Sequence, residues 1–216
     1  MSLTTHCTMR KYLFTSIIAL ALPVAVLAQN YFGAGYVHAI SPDESESVHF
    51  NGLFLGGGTT YRISNSLSFE PAIYYSFLTE SGETSGSIWS SSGVSGAMFD
   101  YDRIEHKFDI PLNLCLGSEF EPGKRIFVSA GPAVQVGLVS DMKYNVSNSD
   151  FGSRESDYEA GGDKRRLNVL AMAGLGVDLQ KVRLTLHYST NLLPYYEGDA
   201  SKDRRHNISA GIHYLF

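Results

Sequence analysis

Beyond residue 28, apolar residues alternate with polar or small ones at a period of two, which marks β-strands and not helices. The C-terminal segment is the clearest. Over 207–216, Ile208, Ala210, Ile212, Tyr214 and Phe216 share one face, Asn207, Ser209, Gly211 and His213 share the other, and Leu215 is the exception. Segment 182–189 sets Val182, Leu184, Leu186 and Tyr188 against Arg183, Thr185, His187 and Ser189. Segment 167–179 sets Leu167, Val169, Leu175 and Val177 against Asn168, Gly174, Gly176 and Asp178. The same alternation runs through 126–138, 108–117 and 67–78, and less cleanly through the glycine-rich 50–63 and 31–40. These eight segments predict eight strands, most near the roughly 9–11 residues that a strand needs to cross a bilayer.

The predicted connections are 41–47, 64–66, 79–103, 118–124, 140–165, 179–181 and 191–205. Short ones alternate with longer ones. An up-and-down antiparallel barrel with both termini at one rim has this parity, and outer-membrane barrels combine short periplasmic turns with longer external loops. Periodicity alone does not separate a membrane barrel from a soluble one turned inside out. The sizes of the faces do. The polar face is rich in Gly, Ser, Ala and Asn, as the narrow lumen of eight strands requires, whereas the apolar face is bulky and carries aromatics near its ends. The expected fold is therefore all-β, an eight-stranded antiparallel up-and-down transmembrane β-barrel.

The first 28 residues read as a tag. Arg10 and Lys11 precede an apolar run over 12–27 that leads into Val26-Leu27-Ala28, the pattern of a signal peptide cleaved near Ala28. About 16 residues interrupted by Pro23 fall short of the roughly 20 that a spanning helix needs. Translation can start at Met1 or Met9. The expected organisation is a signal peptide over 1–28 and a barrel domain over 29–216, exported to the periplasm and placed in a Gram-negative outer membrane.

Composition narrows the function classes. Residues 1–28 hold two of the 17 Lys and Arg and none of the 22 Asp and Glu, which leaves the remainder at a net charge of −7. With no basic run, nucleic acid is not an expected partner. Two cysteines, Cys7 and Cys115, cannot build a disulfide framework or a zinc site. No cofactor, metal ligand set or catalytic group is assigned.

The chain resembles the PorT-type outer-membrane β-barrel family of Bacteroidetes, within the wider group of small OmpX-like barrels. The resemblance rests on Leu67-Ser68-Phe69-Glu70-Pro71-Ala72-Ile73-Tyr74-Tyr75-Ser76, on Phe108-Asp109-Ile110-Pro111-Leu112-Asn113-Leu114, on Ser129-Ala130-Gly131-Pro132 and on the closing Gly211-Ile212-His213-Tyr214-Leu215-Phe216. It implies fold and location. The family usually places Glu after the third-strand proline; here Ala72 stands there and Glu70 lies two residues earlier. Ile212, Tyr214 and Phe216 look like the signal read by the barrel-assembly machinery during insertion.

The face read as the lumen collects Arg62, Glu70, Asp109, Asn113, Gln135, Asp178, Arg183, His187 and His213. Buried charges are tolerated only when paired and hydrogen-bonded, so a cross-braced polar plug is expected, with Arg62, Glu70, Asp109 and Arg183 in one ionic network. Loops 79–103 and 140–165, the second rich in acids, suit a protein partner, while the wall and rim meet outer-membrane lipid and lipopolysaccharide. The expected function is non-enzymatic, in envelope structure or surface interaction. The alternatives are a narrow porin-like channel, a lipid-modifying enzyme, and a soluble secreted ligand-binding barrel.

Overall fold

The computed structural model describes residues 28–42, 47–90, 93–146, 149–156, 165–194 and 204–216. The expected signal peptide up to residue 27 lies outside them, as do loop residues Asp157, Glu159 and Asp163. The strands are β1 (Ala28–Pro42), β2 (Ser47–Arg62), β3 (Leu67–Ser90), β4 (Gly93–Glu121), β5 (Lys124–Val146), β6 (Ser149–Ser156), β7 (Leu167–Leu179), β8 (Val182–Asn191) and β9 (His206–Leu215). Every pairing is antiparallel. The order β4-β3-β2-β1-β9-β8-β7-β5 is closed by β4 against β5, a ring of eight staves. Among the described residues β6 pairs with β5 alone, so it is a returning limb above the ring and not a ninth stave.

Closure follows from the ends. Tyr31 is in register with Leu215, and the Asn30 and Phe216 backbones exchange two hydrogen bonds at 3.3 and 3.0 Å. Both ends of the barrel thus sit at the rim that carries the short turns after β2, β4 and β7. At the β4–β5 turn, Gly123 takes φ 73°, a conformation that glycine adopts without strain.

The wall is inverted relative to a soluble barrel. Leu53, Ile212, Leu175 and Leu116 are 57–65% exposed on the outside, while Arg183 and His213 are 1% exposed within. Along β8, Leu184, Leu186 and Tyr188 face out, and Arg183 and Ser189 are buried. Packing such an apolar girdle against lipid is the arrangement that removes it from water. No helix among the described residues is long and apolar enough to cross a membrane.

Two expectations are corrected. Within 79–103 and 140–165, the described residues 79–90, 93–103, 140–146 and 149–156 are strand and not irregular connection. The β3–β4 ladder continues without a register shift from Tyr74↔Asp109 to Ser90↔Gly93, and β5 runs on to Val146 with β6 folded back along it. Hydrophobic alternation fades there because outward positions such as Thr79, Ser81 and Asp102 are exposed and polar, while Glu80 and Glu105 are buried on the other face. With both faces polar, a two-fold pattern has no contrast. The lumen is also less uniformly polar than expected: Val37, Ala39, Phe50, Phe54 and Leu78 pack inside it as an apolar cluster.

Candidate functional site

The lumen is filled in tiers. Nearest the short turns, Asp178 and Arg183 face each other across the β7–β8 hairpin. Arg183 Nε and Nη2 donate to the two Asp178 carboxylate oxygens at 2.6 and 3.1 Å, and Nη1 donates to Glu70 Oε2 at 2.8 Å. Thr60 Oγ1 donates to Glu70 Oε1 at 3.0 Å. The guanidinium lies between two rings, 4.7 Å from the Tyr31 centroid and 4.8 Å from that of Phe127. One planar cation therefore meets two carboxylates and two aromatic rings at once, which arginine can do and lysine cannot.

Gly176 makes this stack fit. It is the cross-strand partner of Phe127, and a Cβ there would sit 2.1 Å from Phe127 Cζ. Gly176→Val is expected to push the ring off Arg183 and cost about 1–3 kcal/mol, the usual range for overpacking. A lowered urea midpoint in lipid vesicles reads that cost, and an unchanged one would mean that the ring has another place to go.

The next tier is built around His213. Its Nε2 lies 3.1 Å from Thr185 Oγ1, and its ring meets Tyr31 edge-on at 5.5 Å and Phe54 at 6.2 Å. Beyond it lies a cavity of about 40 Å³, bordered by His187, Tyr74, Met172, Lys107, Asp109 and Asn207. A cavity of this size and polarity has room for a few ordered waters. Gln135 Nε2 donates to Asp109 Oδ1 at 2.8 Å, Ser76 Oγ donates to Oδ2 at 3.4 Å, and Lys107 Nζ stands 4.0 Å from the same oxygen. Asn113 reaches Met172 Sδ at 3.7 Å. At the far end, Arg205 Nη1 donates to Glu105 Oε2 at 2.6 Å, and the guanidinium lies 4.3 Å from the Phe50 centroid.

The predicted lumen residues thus divide. Glu70, Asp178 and Arg183 meet in one cluster; Asp109 and Gln135 meet in another; Asn113, His187 and His213 lie between them. Arg62 is a correction. It is opposite Ser68 at the last β2 position and is exposed at the rim, so Thr60, one lumen-facing step further in, takes the place by Glu70 expected for it. Asp109 is likewise not in the Arg183 cluster, because its β4 position pairs with Tyr74, four residues past Glu70. Sequence reasoning missed Thr60, Tyr31, Phe127, Lys107, Glu105 and Arg205. Lys107 and Glu105 share the parity of Asp109, a signal that was readable; Arg205 lies in an expected connection.

No family model matches the chain, and no curated protein matches it. Solved outer-membrane barrels do. The attachment invasion locus protein Ail of Yersinia pestis is 13% identical over 88% of this chain and 99% of its own, with a TM-score of 0.47. Neisserial surface protein A is 16% identical, with 88% and 99% covered and a TM-score of 0.45. The outer membrane enzyme PagL is 12% identical, with 86% and 98% covered and a TM-score of 0.38. The eight-stranded barrel fold rests on the closed ring of staves itself, in which β4 pairs with β5.

Proposed function

We propose that this chain is an integral outer-membrane β-barrel that works without catalysis, in envelope structure or surface interaction, through strands standing outside the membrane. The inverted wall is the observation that carries this reading: leucines, isoleucines and aromatics outside, salt bridges inside. The rim of short turns faces the periplasm and the extended β3–β6 end faces outward. Outward-facing Ile212, Tyr214 and Phe216 suit recognition by the barrel-assembly machinery, and the girdle suits outer-membrane lipid and lipopolysaccharide. The protein partner suggested for residues 79–103 and 140–165 would meet the projecting β3–β4 and β5–β6 ladders.

The filled lumen argues against an open path. Two carboxylates, one guanidinium and two rings occupy the cross-section at Arg183, and eight strands leave an interior only wide enough for side chains. A carbonate-washed outer-membrane fraction, run boiled and unboiled on a gel, tests the reading. The band is expected to stay with the membrane and to change mobility on boiling; a band that washes off would sink the proposal. The same folded sample is expected to give no discrete conductance steps in a planar bilayer, and regular steps would favour the channel instead.

A further inference from the structure

Two histidines face outward near the extended end of the barrel. On β1, His38 lies between inward-facing Val37 and Ala39, both buried; on β2, His49 precedes buried Phe50. The register places His38 opposite Asn51 and His49 opposite Ile40, so the two imidazoles are diagonal neighbours on the outer face. Their ring centroids are 5.5 Å apart, with planes inclined at 29°, and His49 Nδ1 stands 3.4 Å from His38 Nε2.

The surroundings prepare this pair for a ligand. Asn51 Oδ1 can only accept, so His38 Nδ1, at 2.9 Å, carries the proton and donates to it. Tyr36 donates its hydroxyl proton to the same Oδ1 and fixes the amide in turn. The tautomer of His38 is thereby set, and its Nε2 lone pair is turned toward His49. Donation of the other ring N–H to a carbonyl oxygen is the support that metal-bound histidines almost always have. The separation fits as well: two nitrogens about 2.0–2.1 Å from a tetrahedral ion stand about 3.3–3.4 Å apart. His49 and Asn51 also border an outer-wall recess of about 400 Å³ lined by Thr79, Ser81, Asp102 and Lys143. The exposed His49 side of the pair therefore opens to this polar recess and not to the apolar girdle.

We propose that His38 Nε2 and His49 Nδ1 chelate a divalent transition-metal ion of the zinc, nickel or copper class on the external face of the barrel. Asn51 and Tyr36 act as positioning residues. The exposed His49 ring turns to aim its nitrogen, and its proton moves from Nδ1 to Nε2, so a neutral ring loses none on binding. Among the described residues no third His, Cys, Asp or Glu completes a cluster, and water or an external ligand fills the remaining positions. Imidazole suits these metals and does not suit magnesium or calcium.

The test uses the full barrel purified without a histidine tag, folded in detergent and titrated with zinc chloride by calorimetry. One saturable site is expected, and excess magnesium should not displace the zinc. His38→Ala and His49→Ala are each expected to weaken binding at least tenfold. Asn51→Ala should weaken it by about 10–100-fold, the usual cost of losing such a support. His206, which faces outward beside Tyr188 with Nδ1 2.7 Å from the hydroxyl, is the control, and His206→Ala should change nothing. Each variant is first shown to be folded by its heat-dependent gel mobility. Zinc binding that survives in the His38→Ala/His49→Ala double variant, or that falls equally in His206→Ala, would overturn the assignment. Absence of any binding by the native barrel would do the same. Because the titration is done in micelles, its failure would leave the membrane reading untouched.

Discussion

Arg183→Ala is expected to cost the barrel about 3–5 kcal/mol, the penalty for leaving buried carboxylates without their counter-charge. Asp178 and Glu70 both lose a short, charge-assisted bond, and their side chains are only 9% and 6% exposed, so water cannot replace it freely. The Tyr31 and Phe127 rings also lose the cation between them. The readout is the urea midpoint for unfolding from lipid vesicles, followed by heat-dependent gel mobility. Arg183→Lys should recover only part of the loss, because an ammonium cannot serve two carboxylates and two ring faces together. Adding Glu70→Gln and Asp178→Asn to Arg183→Ala should recover stability that neither gives alone, the non-additivity of residues in one network. An Arg183→Ala barrel with an unchanged midpoint would mean that the cluster fills space and braces nothing.

The second large effect is on the other face. Leu186 is half exposed in the middle of β8, between Leu175 and Ala210 in the ladder. Leu186→Arg is expected to cost about 2–4 kcal/mol in a bilayer, whereas Val182→Arg, at the first residue of the same strand, should cost about 0–1 kcal/mol. This depth dependence is the signature of lipid. On a water-facing wall both positions are exposed and both changes would be near neutral, so equal small effects would turn the barrel inside out.

Much of this architecture is readable in the residues. β7 begins and ends where alternation places it, at Leu167 and Leu179, because one face meets lipid and the other meets a charged interior and the contrast is sharp. The contrast fades just beyond Leu78 and before Phe108, where outward Thr79, Ser81 and Asp102 are polar and Glu80 and Glu105 are buried on the other face, and so the outer halves of β3 and β4 read as a loop. The lumen cluster was half legible. Asp178 and Arg183 flank a two-residue turn and face one another by parity alone, but their union with Glu70 and Thr60 depends on the curvature of the ring. Tyr31 and Phe127 have the parity of lumen residues yet are large and apolar, and a composition argument assigns such residues to the outside. What brings them in is the guanidinium they enclose. The histidine pair was open to inspection only as separate residues, because the diagonal relation of β1 to β2 is a matter of register.

The long ladder has a further consequence, one of height. β3 holds 24 residues; at about 3.3 Å per residue, such a strand is about 80 Å long. Tilted by about 40°, it rises about 60 Å, while the apolar band of an outer-membrane barrel is only about 25 Å tall. Some 35 Å of paired strand then stands clear of the acyl chains. Above Thr79, where its pairing with β2 ends, β3 pairs among the described residues with β4 alone, which leaves its other edge without a described strand partner. Such an edge presents alternate N–H and C=O groups to any extended chain passing at that level. The protein would then meet its surroundings as a mast carrying an unfinished sheet, well above the lipid surface.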